Sequence, residues 1–238
     1  MVFLSAEWRY IAMLNYEVDP RLLETFVPTG TELDRWQGKT FVSLVGFRFL
    51  KTEVRGIPIP FHRDFDEVNL RFYVVRGEGS EIRRGVVFVR EIVPRWAIAT
   101  VARLAYNEQY VSLPMSHSIA SRPDGCLNVE YRWRTARAWS GLSLSAGGEP
   151  RIPEEGSEEQ FITEHYWGYS AQHDGGCVEY RVTHPPWRVW NSGDARFDGD
   201  VEELYGRGLA AVLRGKPDSA FLAEGSEVSV YRGKRLNP

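Results

Sequence analysis

DEVNLRFYVVRGEGSEIRRGVVFVREIV, residues 66–93, decides how this chain is read. Two runs rich in β-branched and aromatic residues, DEVNLRFYVVR (66–76) and RRGVVFVREIV (83–93), flank the turn GEGSE, which is the pattern of a β-hairpin. With period two, Val68, Leu70, Phe72 and Val74 share one face, and Glu67, Asn69, Arg71 and Tyr73 the other. In the second strand Val87, Val89, Glu91 and Val93 alternate with Val86, Phe88, Arg90 and Ile92. A hairpin centred near Ser80 sets Arg71 opposite Val89 and Asn69 opposite Glu91. A slip of one residue brings Arg90 to that face instead.

One face of the hairpin therefore carries Glu67, Asn69, Arg71 and Glu91 among valines. Such a face is either a solvated surface with cross-strand ion pairs, each worth roughly 0–1 kcal/mol, or the polar lining of a ligand site. In a site, burial raises a carboxylate pKa and nearby arginine lowers it, which is how acid–base groups are tuned.

Working outward, most of the chain also reads as β. EWRYIAMLNYEV (7–18) is a strand, and Asp19-Pro20 caps a short helix, RLLETFVP, that ends at Pro28. ELDRWQGKTFVSLVGFRFL predicts a hairpin turning at Gln37-Gly38, and the proline-rich RGIPIPFHRDF a loop. Pro94 opens a predicted helix over PRWAIATVARLAYN. Strands follow at YVSLPMSHSIAS, CLNVEYRWRTA and AWSGLSLSA, then an exposed excursion, GGEPRIPEEGSEEQ. A third hairpin joins HYWGYSAQ and GCVEYRVTH around His173-Asp174-Gly175-Gly176, and the helix DVEELYGRGLAAVL and the strand SEVSVYRG close the chain. About ten strands and three helices predict an α+β, mainly antiparallel β fold in one domain, 1–238. Such sheets close or stack to protect their edges.

With 43% hydrophobic and 13% aromatic residues, wholesale disorder is excluded. A formal charge of −3 offers no field for nucleic acid or anionic membrane, and Trp8, Trp36 and Trp96 are too scattered for a base-stacking platform. Cys126 and Cys177 read as two unrelated buried thiols. An acidic residue at position 7 argues against a signal peptide, and no apolar stretch approaches the ~20 residues that span a bilayer, so a cytoplasmic location is expected. HExxH, GxSxG, Walker and dinucleotide glycine patterns are missing, and no metal or cofactor is expected. His62, on the FHRDF loop, and His165, in TEHYWGY, are further wall candidates, while His117 and His184 read as structural.

Several segments, "EWRYIAMLNYEVDPRLLETFVPTGTELDRWQGKTFVSLVGFRF", "GIPIPFHRDFDEVNLRFYV", "FITEHYWGYS" and "FLAEGSEVSVYRG", resemble the YqjF-like family of uncharacterised conserved proteins over about residues 3–233. That family is grouped with the acetoacetate decarboxylase-like superfamily. The resemblance implies a closed, cone-like antiparallel β-barrel with a few outer helices and a ligand cavity within. The decarboxylases carry Gly-Arg-Glu followed by Gly-x-Pro-Lys, whose lysine forms a Schiff base with a β-keto acid. Here Arg90 and Glu91 match the Arg-Glu pair, and Glu67 is similar to a second cavity acid. The lysine does not match: Pro94-Arg95 arrives two residues early and the basic residue is arginine. A guanidinium keeps its proton and cannot form the imine.

Three functional classes follow. In an enzyme without a Schiff base, Glu67 and Glu91 move protons and Arg71, Arg90 or Arg95 holds a small carboxylate or carbonyl compound, with Asn69, His62 and His165 completing the wall. In a binding or sensing module the same cavity retains its ligand unchanged. In an interaction protein the polar face is only surface, and an exposed β-edge or aromatic patch would support a homodimer.

Overall fold

A computed structural model of the chain describes residues 1–59, 61–94, 109–123 and 125–236. The helix expected from Pro94, and Arg95 with it, fall in 95–108 and lie outside the described residues. Among the described residues fifteen strands make one hydrogen-bonded sheet that is mostly antiparallel. Its long members are β1 (Val2–Glu17), β3 (Phe41–Val54), β5 (Phe65–Glu78), β6 (Glu81–Val93), β13 (Val189–Asp198) and β14 (Ser219–Tyr231). Shorter strands are β2 (Glu32–Leu33), β4 (Ile57–Pro58), β7 (Tyr110–Ser112), β8 (Met115–Ser121), β9 (Leu127–Arg134), β10 (Trp139–Ala146), β11 (Trp167–Ala171), β12 (Cys177–Thr183) and β15 (Lys234–Leu236). The order is β15-β12-β11-β6-β5-β3-β1-β14-β13-β10-β9-β8, and β12 also pairs with β14 through Val182↔Val230 and Thr183↔Ser229.

Helices are few. α1 (Glu158–Thr163) starts at Ser157, whose hydroxyl accepts from Gln160 N. α2 (Glu202–Leu213) kinks at Gly206, which lies at φ 75°. The helix expected after Asp19-Pro20 is reduced to two 3-10 turns, Pro20–Leu22 and Glu24–Phe26, although Asp19 does cap Arg21 N as expected. The turn at Gln37-Gly38 exists, but the segment before it does not run beside β3. β3 is flanked on both sides by β1 and β5, so β2 pairs with β5 instead. The excursion 147–160 holds the start of α1, which the sequence reading missed, as it missed β13. Cys126 is half-buried, not buried as expected, and no disulfide joins it to Cys177.

The central strands have two buried faces. One face (Leu14, Leu44, Val68, Leu70, Phe72, Val87) packs on β9, β10 and α2 through Tyr131, Trp133, Leu142, Tyr205 and Leu209. Fully burying each such large side chain contributes about 1.5–3 kcal/mol. The opposite face (Met13, Val45, Phe47, Phe49, Phe65, Tyr73, Val86) borders a cavity.

Three bulges decide which residues reach that cavity, because one extra residue reverses the alternation. In β1 the bulge is at Tyr10, held at φ 54°; Ala6 and Trp8 face the cavity side before it, Ile11 and Met13 after it. In β3 it is at Lys51, φ 53°, so Phe47 and Phe49 are followed on the wall by Thr52 and Val54. In β6 Leu70↔Arg90 is followed by Arg71↔Phe88, which leaves Val89 unopposed. Opposite the first bulge, Gly225 takes φ 80°, where an added Cβ would sit 1.9 Å from the Trp8 carbonyl oxygen. Only glycine fits there.

Candidate functional site

The cavity has a volume of about 180 Å³. Most of its wall is apolar, built from Trp8, Phe47, Phe49, Phe65, Phe88 and Trp187 among others, with a polar end contributed chiefly by β5 and β6. Of the residues singled out from sequence, Glu67, Asn69, Arg71, Glu91, His62 and His165 line it. Arg90 does not. The unopposed Val89 restores Asn69↔Glu91 pairing, so Glu91 faces the cavity and Arg90 faces away, toward Tyr205 of α2.

Glu67 is 3% exposed. Its Oε1 accepts from Asn69 Nδ2 at 2.9 Å and its Oε2 from the Tyr110 hydroxyl at 3.3 Å. Burial pushes its carboxyl up to about 7, against the hydrogen bonds of Asn69 and Tyr110 and the charge of Arg71. Near neutrality it therefore exchanges a proton readily. Tyr110 lies opposite Glu91 in the parallel β6–β7 pair. Burial, followed by the charges of Glu67 and Glu91, holds its phenol well above the ordinary range.

Two residues along β5, Arg71 reaches the same space. Its Nη2 donates to the Ile162 carbonyl at 3.2 Å, an acceptor in the last turn of α1 that the helix itself leaves free. The guanidinium lies 5.7 Å from the centroid of the Tyr73 ring, and its buried Nε has no hydrogen-bond partner among the described residues. Among the described residues no carboxylate forms a salt bridge with it. A half-buried fork held in no salt bridge is complementary to a carboxylate.

His165 follows α1 and is held by Asp34, Nε2 to Oδ2 3.2 Å. Its neighbour Trp167 also lines the wall, as does His184, stacked on Trp187 at 3.9 Å. Burial lowers the His184 pKa to about 4, so this ring is neutral. His117 instead joins Asp66 and Arg48, away from the cavity. All four lysines, Lys39, Lys51, Lys216 and Lys234, are exposed and none lines the cavity. Among the described residues no cluster of three or more His, Cys, Asp or Glu is placed to hold a metal, and no helix is long and apolar enough to cross a membrane.

Comparison with known proteins agrees with this architecture. The family model DUF2071, "Uncharacterized conserved protein", matches residues 5–227. The chain belongs to that family. A curated relative, the "Uncharacterized protein YqjF" of Bacillus subtilis (strain 168), is 25% identical over 186 residues, covering 78% of this chain and 74% of the relative. Among solved structures, acetoacetate decarboxylase from Legionella pneumophila superposes with TM-score 0.71 at 12% identity, covering 99% of this chain and 87% of that one. The enduracididine biosynthesis enzyme MppR complexed with pyruvate gives TM-score 0.69 at 13% identity, covering 100% and 91%. At such identities the likeness establishes the acetoacetate decarboxylase-like fold.

For this DUF2071 chain the sequence reading missed Tyr110, Asp34 and the wall role of His184. Tyr110 pairs with Glu91 in a parallel register that no local spacing encodes, and Asp34 meets His165 over 131 positions of sequence. The one local signal was polar residues flanking aromatic strand ends, as in LDRW and VTHPPW.

Proposed function

We propose that the chain is an enzyme that binds a small carboxylate or carbonyl compound in this cavity and moves its protons without a Schiff base. The observation that carries the proposal is a guanidinium with no salt bridge among the described residues and a carboxyl with pKa about 7 inside one largely apolar chamber. Arg71 receives the substrate carboxylate in its planar fork. Glu67 delivers and removes the proton, and Glu91 shares Tyr110 with it. Imine chemistry is set aside because no lysine reaches the wall. In this proposal β14-β1-β3-β5-β6-β11-β12 close as a cone-like barrel within one domain, 1–238, and the β12–β14 pairings support that closure. A neighbour of the same fold is complexed with pyruvate, which supports a 2-oxo carboxylate as the first probe.

The mostly aromatic wall favours one alternative, a binding module that retains its ligand unchanged. Pyruvate in D2O separates the two readings. The enzyme should raise the melting temperature in the presence of pyruvate and accelerate methyl-proton exchange seen by NMR. Arg71→Met should lose both effects, Glu67→Gln the exchange alone, and borohydride should trap no adduct. Stabilisation that survives Arg71→Met would overturn the site, and binding without exchange would favour the module.

A further inference from the structure

Beyond Glu67 and Arg71, the cavity wall holds a ring nitrogen that the fold leaves unused. His165 is 7% exposed and wedged against Tyr73 and Phe161, with ring centroids 4.7 and 5.0 Å away. Its Nε2 lies 3.2 Å from Asp34 Oδ2. Asp34 is itself fixed in place. Its backbone N–H donates to the Tyr73 carbonyl at 3.0 Å, its Oδ1 accepts from Arg35 N at 2.9 Å, and Arg84 Nε stands 3.4 Å from Oδ2. An ionised carboxylate only accepts, so the hydrogen of the pair belongs to Nε2. Nδ1 then presents a buried lone pair that has no partner among the described residues, on a residue that lines the cavity. Burial, together with the Arg71 and Arg84 charges, disfavours the doubly protonated ring.

A buried acceptor without a donor asks for one. A molecule in the cavity is placed to supply that donor, and Arg71 sets where its anionic end lies. That guanidinium lies 5.7 Å from the centroid of the Tyr73 ring, whose centroid is 4.7 Å from that of His165. Its Nη2 bonds Ile162 O, three residues before His165. Both groups therefore border the cavity beside the Tyr73 ring, close enough for the Arg71 charge to act on the imidazole. An ammonium donor would be repelled by Arg71, and a hydroxyl would not. The remaining volume is apolar, and a cavity of about 150 Å³ already takes a benzene ring.

We infer that Asp34 holds His165 in its Nε2–H tautomer as a ligand-reading residue, and that the ligand is a hydroxy acid with an apolar body. Its carboxylate lies on Arg71 and its hydroxyl donates to His165 Nδ1. The carboxylate half of this inference rests on the function proposed above; the hydroxyl half rests on His165 alone.

Titration calorimetry on the intact protein with two matched pairs, 3-phenyllactate against 3-phenylpropanoate and lactate against propanoate, tests both halves. The hydroxylated member of each pair should bind about tenfold tighter or better, because a site built to bond a hydroxyl rejects the analogue lacking it. In His165→Phe that preference should vanish while both members still bind. Arg71→Met should weaken all four acids. Equal affinity within the pairs, or a preference that persists in His165→Phe, overturns the hydroxyl reading and leaves the carboxylate site standing. Acids that bind Arg71→Met as well as wild type, or no acid binding at all, overturn both. Imidazole ¹⁵N NMR of the unmodified protein needs neither ligand nor stable variant. It should report the Nε2–H tautomer at His165, with mixing or reversal in Asp34→Asn, and an Nδ1–H tautomer in wild type ends the inference.

Discussion

Two buried glutamates face arginines carried by the same hairpin, and their surroundings differ. Glu179, on β12, accepts from Arg83 Nη1 at 2.7 Å, Arg76 Nη1 at 3.2 Å and the Tyr169 hydroxyl at 3.0 Å. Arg76 also pairs with Glu78 and Arg83 with Glu81, while Arg83 lies 4.4 Å from the centroid of the Trp167 ring. Every charge there has an answer, and the cluster ties the tip of β5–β6 to β11–β12. Among the described residues Glu67 has neutral donors only, and Arg71 stands nearby without a salt bridge. The same residue types make a staple in one place and the polar end of a cavity in the other. What separates them is whether the charges meet.

The largest effect should come from breaking the staple. Glu179→Ala leaves two inward-facing guanidiniums and a buried tyrosine hydroxyl without their shared acceptor. Removing one partner of a buried charge network costs about 3–5 kcal/mol. Urea denaturation should show a loss of that size. Arg71→Met at the other site deletes a cation that makes no salt bridge among the described residues and acts on Glu67 only through space, so it should cost clearly less stability than Glu179→Ala. A large loss on Arg71→Met together with a small one on Glu179→Ala would reverse the assignment of the two clusters.

Next in size is the cost of Glu67. In the folded chain its pKa is about 7, against 4.5 for an unperturbed glutamate. Below both values the carboxyl is protonated in both states and costs nothing. Between them the unfolded chain binds fewer protons than the native one, so stability falls as pH rises. Above about 7 the native carboxyl ionises too, and the full penalty, roughly 3 kcal/mol, is present. Glu67→Gln should therefore match wild type near pH 4.5 and be more stable by about 2–3 kcal/mol at pH 8. Denaturation midpoints across that range should diverge upward. A constant offset at all pH values would show that Glu67 is not held near 7.

The hairpin 66–93 was legible because β5 keeps strict alternation from Glu67 to Tyr73, which fixed Glu67, Asn69 and Arg71 on one face. Glu91 was placed correctly by two cancelling errors. The turn centres between Gly79 and Ser80, half a residue from the point assumed, and the unopposed Val89 restores the Asn69↔Glu91 pairing. The same bulge puts Val86 and Phe88 on the cavity wall, where Val87 and Val89 had been expected to share a face with Glu91. Bulges at Tyr10 and Lys51 are equally silent in the sequence, since neither position carries the glycine that a left-handed φ normally calls for. β13 was hidden because NSGD within it reads as a turn. The Asp34–His165 pair is a contact of tertiary origin that no local spacing encodes.

The smallest effect sharpens the comparison most cheaply. Glu81 sits at the rim of the staple with 56% of its side chain exposed, accepting from Arg83 Nε and Nη2, both at 3.0 Å. Arg83 keeps Glu179 and the Trp167 face when Glu81 is neutralised, so Glu81→Gln should cost less than about 1 kcal/mol. Exposed pairs are screened by salt and buried ones far less. Melting curves in 0.05 M and 1 M NaCl should therefore show the Glu81→Gln deficit shrinking to nothing, while the Glu179→Ala deficit persists. If both deficits faded together, Glu179 would be behaving as a solvated ion pair. The staple would then lose the property that sets it apart from the cavity, namely charges that are buried and met.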